Sequence, residues 1–149
     1  MKYDHPDYHW SNEFPEGLDE DNAMTHMGFF FSWALQHGLI SDFHLDDTDT
    51  AEQVQLVKNG SASAREYVIA NCDSQLTNED LTDQGNDFAN EYYVRDFFDD
   101  YTKLFADQYE SPYHVEENSA NSERVRRMLD ERFSQWKERQ SKKPWWRLW

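Results

Sequence analysis

The sequence predicts an all-α fold with at most a minor extended segment: a compact bundle of about five helices, an irregular N-terminal arm and a basic, Trp-rich C-terminal tail. Three observations carry this expectation. Apolar residues recur at helical spacing, most clearly Val125, Leu129, Phe133 and Trp136 at i, i+4, i+8 and i+11. Good N-caps and glycine stops bracket such stretches. Aromatic residues make up 16% of the chain, far more than a disordered segment carries, which offsets a mean hydropathy of -1.03.

In the arm, His5-Pro6 and Phe14-Pro15-Glu16-Gly17 read as turns, and Tyr3, Tyr8, Trp10 and Phe14 are placed to cover a helix. The first helix starts at the N-caps Asp21 or Asn22 and runs to His37, where Gly38 supplies a left-handed stop. Its apolar residues Ala23, Met24, Met27, Phe30, Phe31, Ala34 and Leu35 nearly encircle the axis, the pattern of a central buried helix. Asp46-Asp47-Thr48-Asp49 opens a second helix over 50–59, stopped by Gly60; Ser61 or Ser63 caps a third, through 72, facing the core with Tyr67, Val68 and Cys72.

Thr77-Asn78-Glu79-Asp80 has the form of a capping box with Asp in place of Glu or Gln, and leads into Gly85-Asn86. A long helix over 87–108 follows, with Phe88, Tyr92, Tyr101 and Leu104 or Phe105 inside and Asp96, Asp99 and Asp100 outside. Glu110-Ser111-Pro112 breaks it, and Tyr113-His114-Val115 reads as a brief extended piece. The last helix covers 121–140. The expected organisation is therefore one globular helical domain, 1–140, and a tail, 141–149, with Ser141-Lys142-Lys143-Pro144 ending the helix.

Charge divides the chain unevenly. Residues 1–123 hold 5 Lys/Arg against 27 Asp/Glu, a net -22, whereas residues 124–149 hold 9 against 3, a net +6. A body this acidic repels nucleic acid and anionic lipid and attracts basic proteins, although solubility alone also explains acidity. One cysteine, Cys72, excludes an intramolecular disulfide, and the start MKYDHPDY has neither the basic nor the apolar region of a signal peptide, so a cytoplasmic protein is expected.

Chemical motifs are scarce. His5 and His9 stand four apart, but Pro6 lies between them and no third ligand is fixed by spacing, so no metal is expected. The calcium-loop likenesses at Asp47-x-Asp49 and Asp73-x-Gln75-x-Thr77 lack the glycine at position six and the final Glu. Cys72 falls in an acidic stretch that raises a thiol pKa and reads as core. His26, beside Gly28 in an apolar helix, is the histidine to look at first; its plainer reading is a buried imidazole satisfied by a carboxylate or backbone. No catalytic residue and no cofactor is expected.

The segments Asn22-Ala23-x-Thr25-His26-x-Gly28-x-Phe30-x-x-Trp33 and Leu76-x-x-Glu79-Asp80-Leu81-x-x-x-Gly85-Asn86-x-Phe88-Ala89, with the Trp-Trp tail, resemble a family of small acidic bacterial proteins classed as a domain of unknown function. The resemblance covers most of the chain. It implies a bacterial source and a single domain, and it brings no assigned catalytic residue.

The function expected from these features is non-catalytic binding: a bacterial immunity-type protein that binds and inhibits a cytosol-acting toxin. Its partner would be a basic protein met by Asp46, Asp47, Asp49, Asp96, Asp99 and Asp100, which set association rate and orientation while aromatic anchors supply affinity. The alternative is a peripheral membrane or scaffold-docking protein held by its tail. There Lys142, Lys143, Trp145, Trp146, Arg147 and Trp149 mix basic and aromatic groups suited to a membrane interface, a partner pocket or an acidic body.

Overall fold

The structure is a computed structural model that describes residues 1–11 and 13–142. At its centre is helix α2, Thr25–Gln36, in which every residue but Ser32 and Gln36 is buried. A 3-10 turn, Glu20–Met24, leads into it, started by the Asp19 side chain accepting from the Asp21 N–H at 2.9 Å. The encircling apolar pattern thus does what it predicts: three layers pack on one rod. They are α3 (Thr48–Lys58) with α4 (Ala64–Asn71), the long helix that begins at Asp83, and the C-terminal helix, Ser119–Ser141.

Local capping chemistry sets the short helices. Asp47 caps α3 through the N–H groups of Asp49 and Thr50, and Ser63 caps α4 through the N–H of Glu66. Thr77 and Asp80 form the expected reciprocal capping box around the 3-10 turn Asn78–Asp80. Helix α4 crosses α2 at Gly28, where an added Cβ would stand 2.6 Å from the Arg65 backbone nitrogen. No side chain fits there.

The long helix differs from a simple 3.6-residue rod. It runs as α5, Asp83–Phe88, then as a π-helical stretch, Ala89–Phe97, then as α6, Phe98–Phe105. Wider i→i+5 turns bring Tyr93 and Phe97 inward beside the expected Phe88, Tyr92, Tyr101 and Phe105, so this helix buries two more aromatics than its spacing predicts. Tyr113 lies in a 3-10 turn, Pro112–His114, and not in an extended piece, because Ser111 caps it and Pro112 presets its first φ. The final helix, α7, Ser119–Ser141, buries Val125, Leu129, Phe133 and Trp136 as expected.

The N-terminal arm is more ordered than its turn residues suggest. Strand β1, Lys2–Asp4, pairs antiparallel with β2, Leu76–Thr77, and α1, Asp7–Trp10, follows at once. Pro6 does not prevent that helix; it sits at the N-cap with φ -58°, where a missing N–H costs nothing.

Candidate functional site

The arm carries two buried polar side chains into the core. Pairing of β1 with β2 buries Asp4, and the turn of α1 folds His9 back beside it; these two residues are 5% and 6% exposed. His26, on the first turn of α2, meets them from below at 1% exposure. The Asp4 carboxylate takes His9 Nε2 on Oδ1 at 2.8 Å and His26 Nε2 on Oδ2 at 2.7 Å, with the two imidazoles edge to face.

Two tyrosines complete the cluster. Tyr93, turned inward by the π-helical stretch, donates to Asp4 Oδ2, and Tyr113 OH meets His9 Nδ1 at 2.8 Å. The ring of Phe98 lies 4.9 Å from both imidazoles and closes the apolar side. Burial opposes ionisation of Asp4, but His26 and His9 outweigh it and hold the carboxyl well below its ordinary range. Burial pushes His26 down from its ordinary value against the pull of Asp4. Burial, with Asp4 adding to it, pushes the Tyr113 phenol up to about 12, so this hydroxyl keeps its proton and can both donate and accept. A cavity of about 180 Å³ reaches Asp4 and His9 from the surface between Tyr8, Tyr93, Phe98 and Tyr113.

A second buried cluster joins His44, Tyr67, Cys72 and Asp80. His44 Nδ1 lies 2.7 Å from Tyr67 OH and Nε2 lies 2.8 Å from Asp80 Oδ1, while Cys72 Sγ lies 3.9 Å from the same Nε2. A nucleophile relay needs thiol and carboxylate on opposite ring nitrogens; here both address one. Burial, followed by Asp80, pushes the Cys72 thiol far up, which fits its reading as core. The cluster's structural effect is to pin the 3-10 turn Asp42–His44 onto α4.

The predicted acidic residues fall on elements with different packing partners. Asp46, Asp47 and Asp49 are exposed in the turn before α3 and in its first turn. Asp96 and Asp99 are exposed near the junction of the π-helical stretch and α6. Asp100 departs from the expected free face: it is half-buried, accepts from Tyr92 OH at 2.7 Å and takes a two-pronged ion pair from Arg132 on α7. Its charge is spent inside the fold. Asp100→Asn is therefore expected to cost about 1 to 2 kcal/mol in thermal unfolding, with Arg132 partly screened by solvent, whereas Asp96→Asn and Asp99→Asn stay within about 0.5 kcal/mol. Equal melting temperatures for all three variants would refute the ion pair.

Of the tail residues, Lys142 pairs with Glu138 at 2.9 Å, and Lys143, Trp145, Trp146, Arg147 and Trp149 lie outside the described residues. Among the described residues no helix is long and apolar enough to cross a membrane. Sequence reasoning identified His26 but not its partners, since Asp4 and Tyr93 are 22 and 67 positions away and no local spacing links them. The arm offered no signal for them either, since Tyr3 and Asp4 are adjacent and both buried, so that β1 shows no alternation to read.

No curated protein and no solved structure matches the chain. A family model described as a domain of unknown function (DUF7832) matches residues 2–115, a span that holds both buried histidine clusters and ends before α7. The chain belongs to that family.

Proposed function

We propose that the protein is a non-catalytic binding protein of the immunity type, which captures a basic, cytosol-acting toxin through the surface of the 42–49 turn. The observation that supports this is the pairing of exposed apolar residues with acidic neighbours on a pinned turn. Phe43 and Leu45 are 65% and 43% exposed, while His44 between them is fully buried and held by Asp80 and Tyr67. Asp42, Asp46, Asp47 and Asp49 flank them, all exposed. On α3, Glu52 and Leu56 continue that exposed face at helical spacing.

An apolar centre with a charged rim is the anatomy of a protein-binding patch, and a preorganised turn loses little entropy on docking. The acidic body favours a basic partner, and the rim sets the approach. The test is capture of a stoichiometric partner from native cells by the full chain, followed by binding kinetics. Phe43→Ser is expected to weaken the complex about 30-fold, mainly through faster dissociation. Asp46, Asp47 and Asp49 changed together to Asn, which keeps the α3 cap, should slow association and flatten its salt dependence. A captured partner that is acidic, or whose binding ignores both variants, overturns the reading.

A further inference from the structure

We infer that Asp4, His9 and His26 are the protein ligands of a divalent transition-metal site whose remaining coordination positions face the cavity beside Tyr8. The site goes beyond the proposed docking surface, with which it shares no residue.

Three features carry the inference. First, the donor set is two imidazoles and one carboxylate, and their ligating atoms lie within 4.8 Å of one another. That set holds zinc or ferrous iron with positions left for water or another oxygen ligand. Second, two of the ligands have outer partners that fix their orientation. With a metal bound, His9 Nδ1–H donates to the Tyr113 hydroxyl oxygen, which leaves the Nε2 lone pair pointing at the shared centre, and Tyr93 OH and the His5 N–H anchor the two oxygens of Asp4. Such outer contacts select the ring tautomer and raise ligand basicity. Third, the centre is reachable, because Asp4 and His9 themselves line the 180 Å³ cavity.

The His44 cluster provides the internal contrast. Its His44, Cys72 and Asp80 atoms also gather within 4.8 Å, but His44 is fully buried and the group ties the Asp42–His44 turn to α4, whereas Asp4 and His9 line a cavity. This second group closes a turn; the first opens to solvent.

The experiment uses the full chain, stripped with a chelator, and titrates it with zinc by calorimetry and with cobalt(II) by absorption. One equivalent of each should bind, with a cobalt spectrum of nitrogen and oxygen ligands and no thiolate charge-transfer band. His9→Gln and Asp4→Asn should weaken binding more than the roughly 10- to 100-fold expected for Tyr113→Phe, and Cys72→Ser should leave it unchanged. Circular dichroism checks that each variant folds; should Asp4→Asn unfold, His9→Gln, at the rim of the cluster, decides. The inference is overturned if neither metal binds stoichiometrically, if His9→Gln binds as the unaltered chain does, or if a thiolate band appears and Cys72→Ser removes it.

Discussion

Gly28→Ala is expected to lower the melting temperature by roughly 10 °C, although alanine is the better helix former by about 1 kcal/mol. The reason is the crossing of α2 and α4. A methyl at position 28 would stand 2.6 Å from Arg65 N and 2.8 Å from Arg65 Cα, and neither atom belongs to a flexible side chain that could swing away. Overpacking against side chains costs about 1 to 3 kcal/mol; against backbone the whole of α4 must move, which places the cost at or above that range. The effect is not confined to stability. Helix α4 carries Tyr67, whose hydroxyl holds His44, and Arg65, whose N–H donates to Glu117 at 2.9 Å. Moving α4 therefore loosens the turn that presents Phe43, so the same variant should bind the proposed basic partner more weakly. Ser32→Ala, one turn further along α2 at a half-buried position, is the control and should melt within about 1 °C of the unaltered protein. An unchanged melting temperature for Gly28→Ala would mean that the two helices do not cross this closely.

What was legible in the sequence was what local chemistry decides. Apolar spacing located α2 and α7, and the caps fell among the short polar residues that the sequence offered: Asp47 within Asp46–Asp49, Ser63 of Ser61 or Ser63, and the Thr77–Asp80 box all act within three residues of themselves. The π-helical stretch was not legible, because on a 3.6-residue template Phe97, nine positions on, falls on the face opposite Phe88, yet both are buried. Strand β1 was hidden for a different reason. It is three residues long, and its partner β2 lies more than seventy positions away, so no periodicity announces it. The candidate metal ligands suffer from the same distance: the apolar setting of His26 pointed to one of them, while Asp4 and His9 looked like members of a turn-rich arm. Asp100 shows the converse error. As one of three aspartates on a helix face it reads as solvated, and only the fold, by laying α7 alongside, reveals Tyr92 and Arg132 as its partners.

Alkaline pH is expected to unfold the protein sharply, beginning near pH 10, through tyrosines that the core keeps protonated. Burial pushes the phenols of Tyr67, Tyr92 and Tyr101 above their ordinary value, reinforced for Tyr67 by Cys72 ahead of Asp80, for Tyr92 by Asp100, and for Tyr101 by Tyr109 ahead of Glu117. All three residues are at most 5% exposed. A group whose folded pKa is raised adds stability that is fully present below its unfolded pKa and is lost as pH rises through the folded one. Below pH 10 both states hold the phenol proton, and nothing is lost. Above it the unfolded chain releases the proton while the folded chain cannot, so each tyrosine removes about 1.4 kcal/mol for every further pH unit. Three such groups together have removed about 4 kcal/mol by pH 11, a large part of the roughly 5 to 15 kcal/mol that holds a domain together. Tyrosinate absorbance should therefore rise together with the loss of helical circular dichroism, in one cooperative step. Tyr92→Phe, which removes one titrating group and frees Asp100 to Arg132 alone, should move that step to higher pH while slightly lowering stability at neutral pH. Gradual ionisation of these phenols in a chain that keeps its helix signal would show that they are open to solvent and that the core is looser than described.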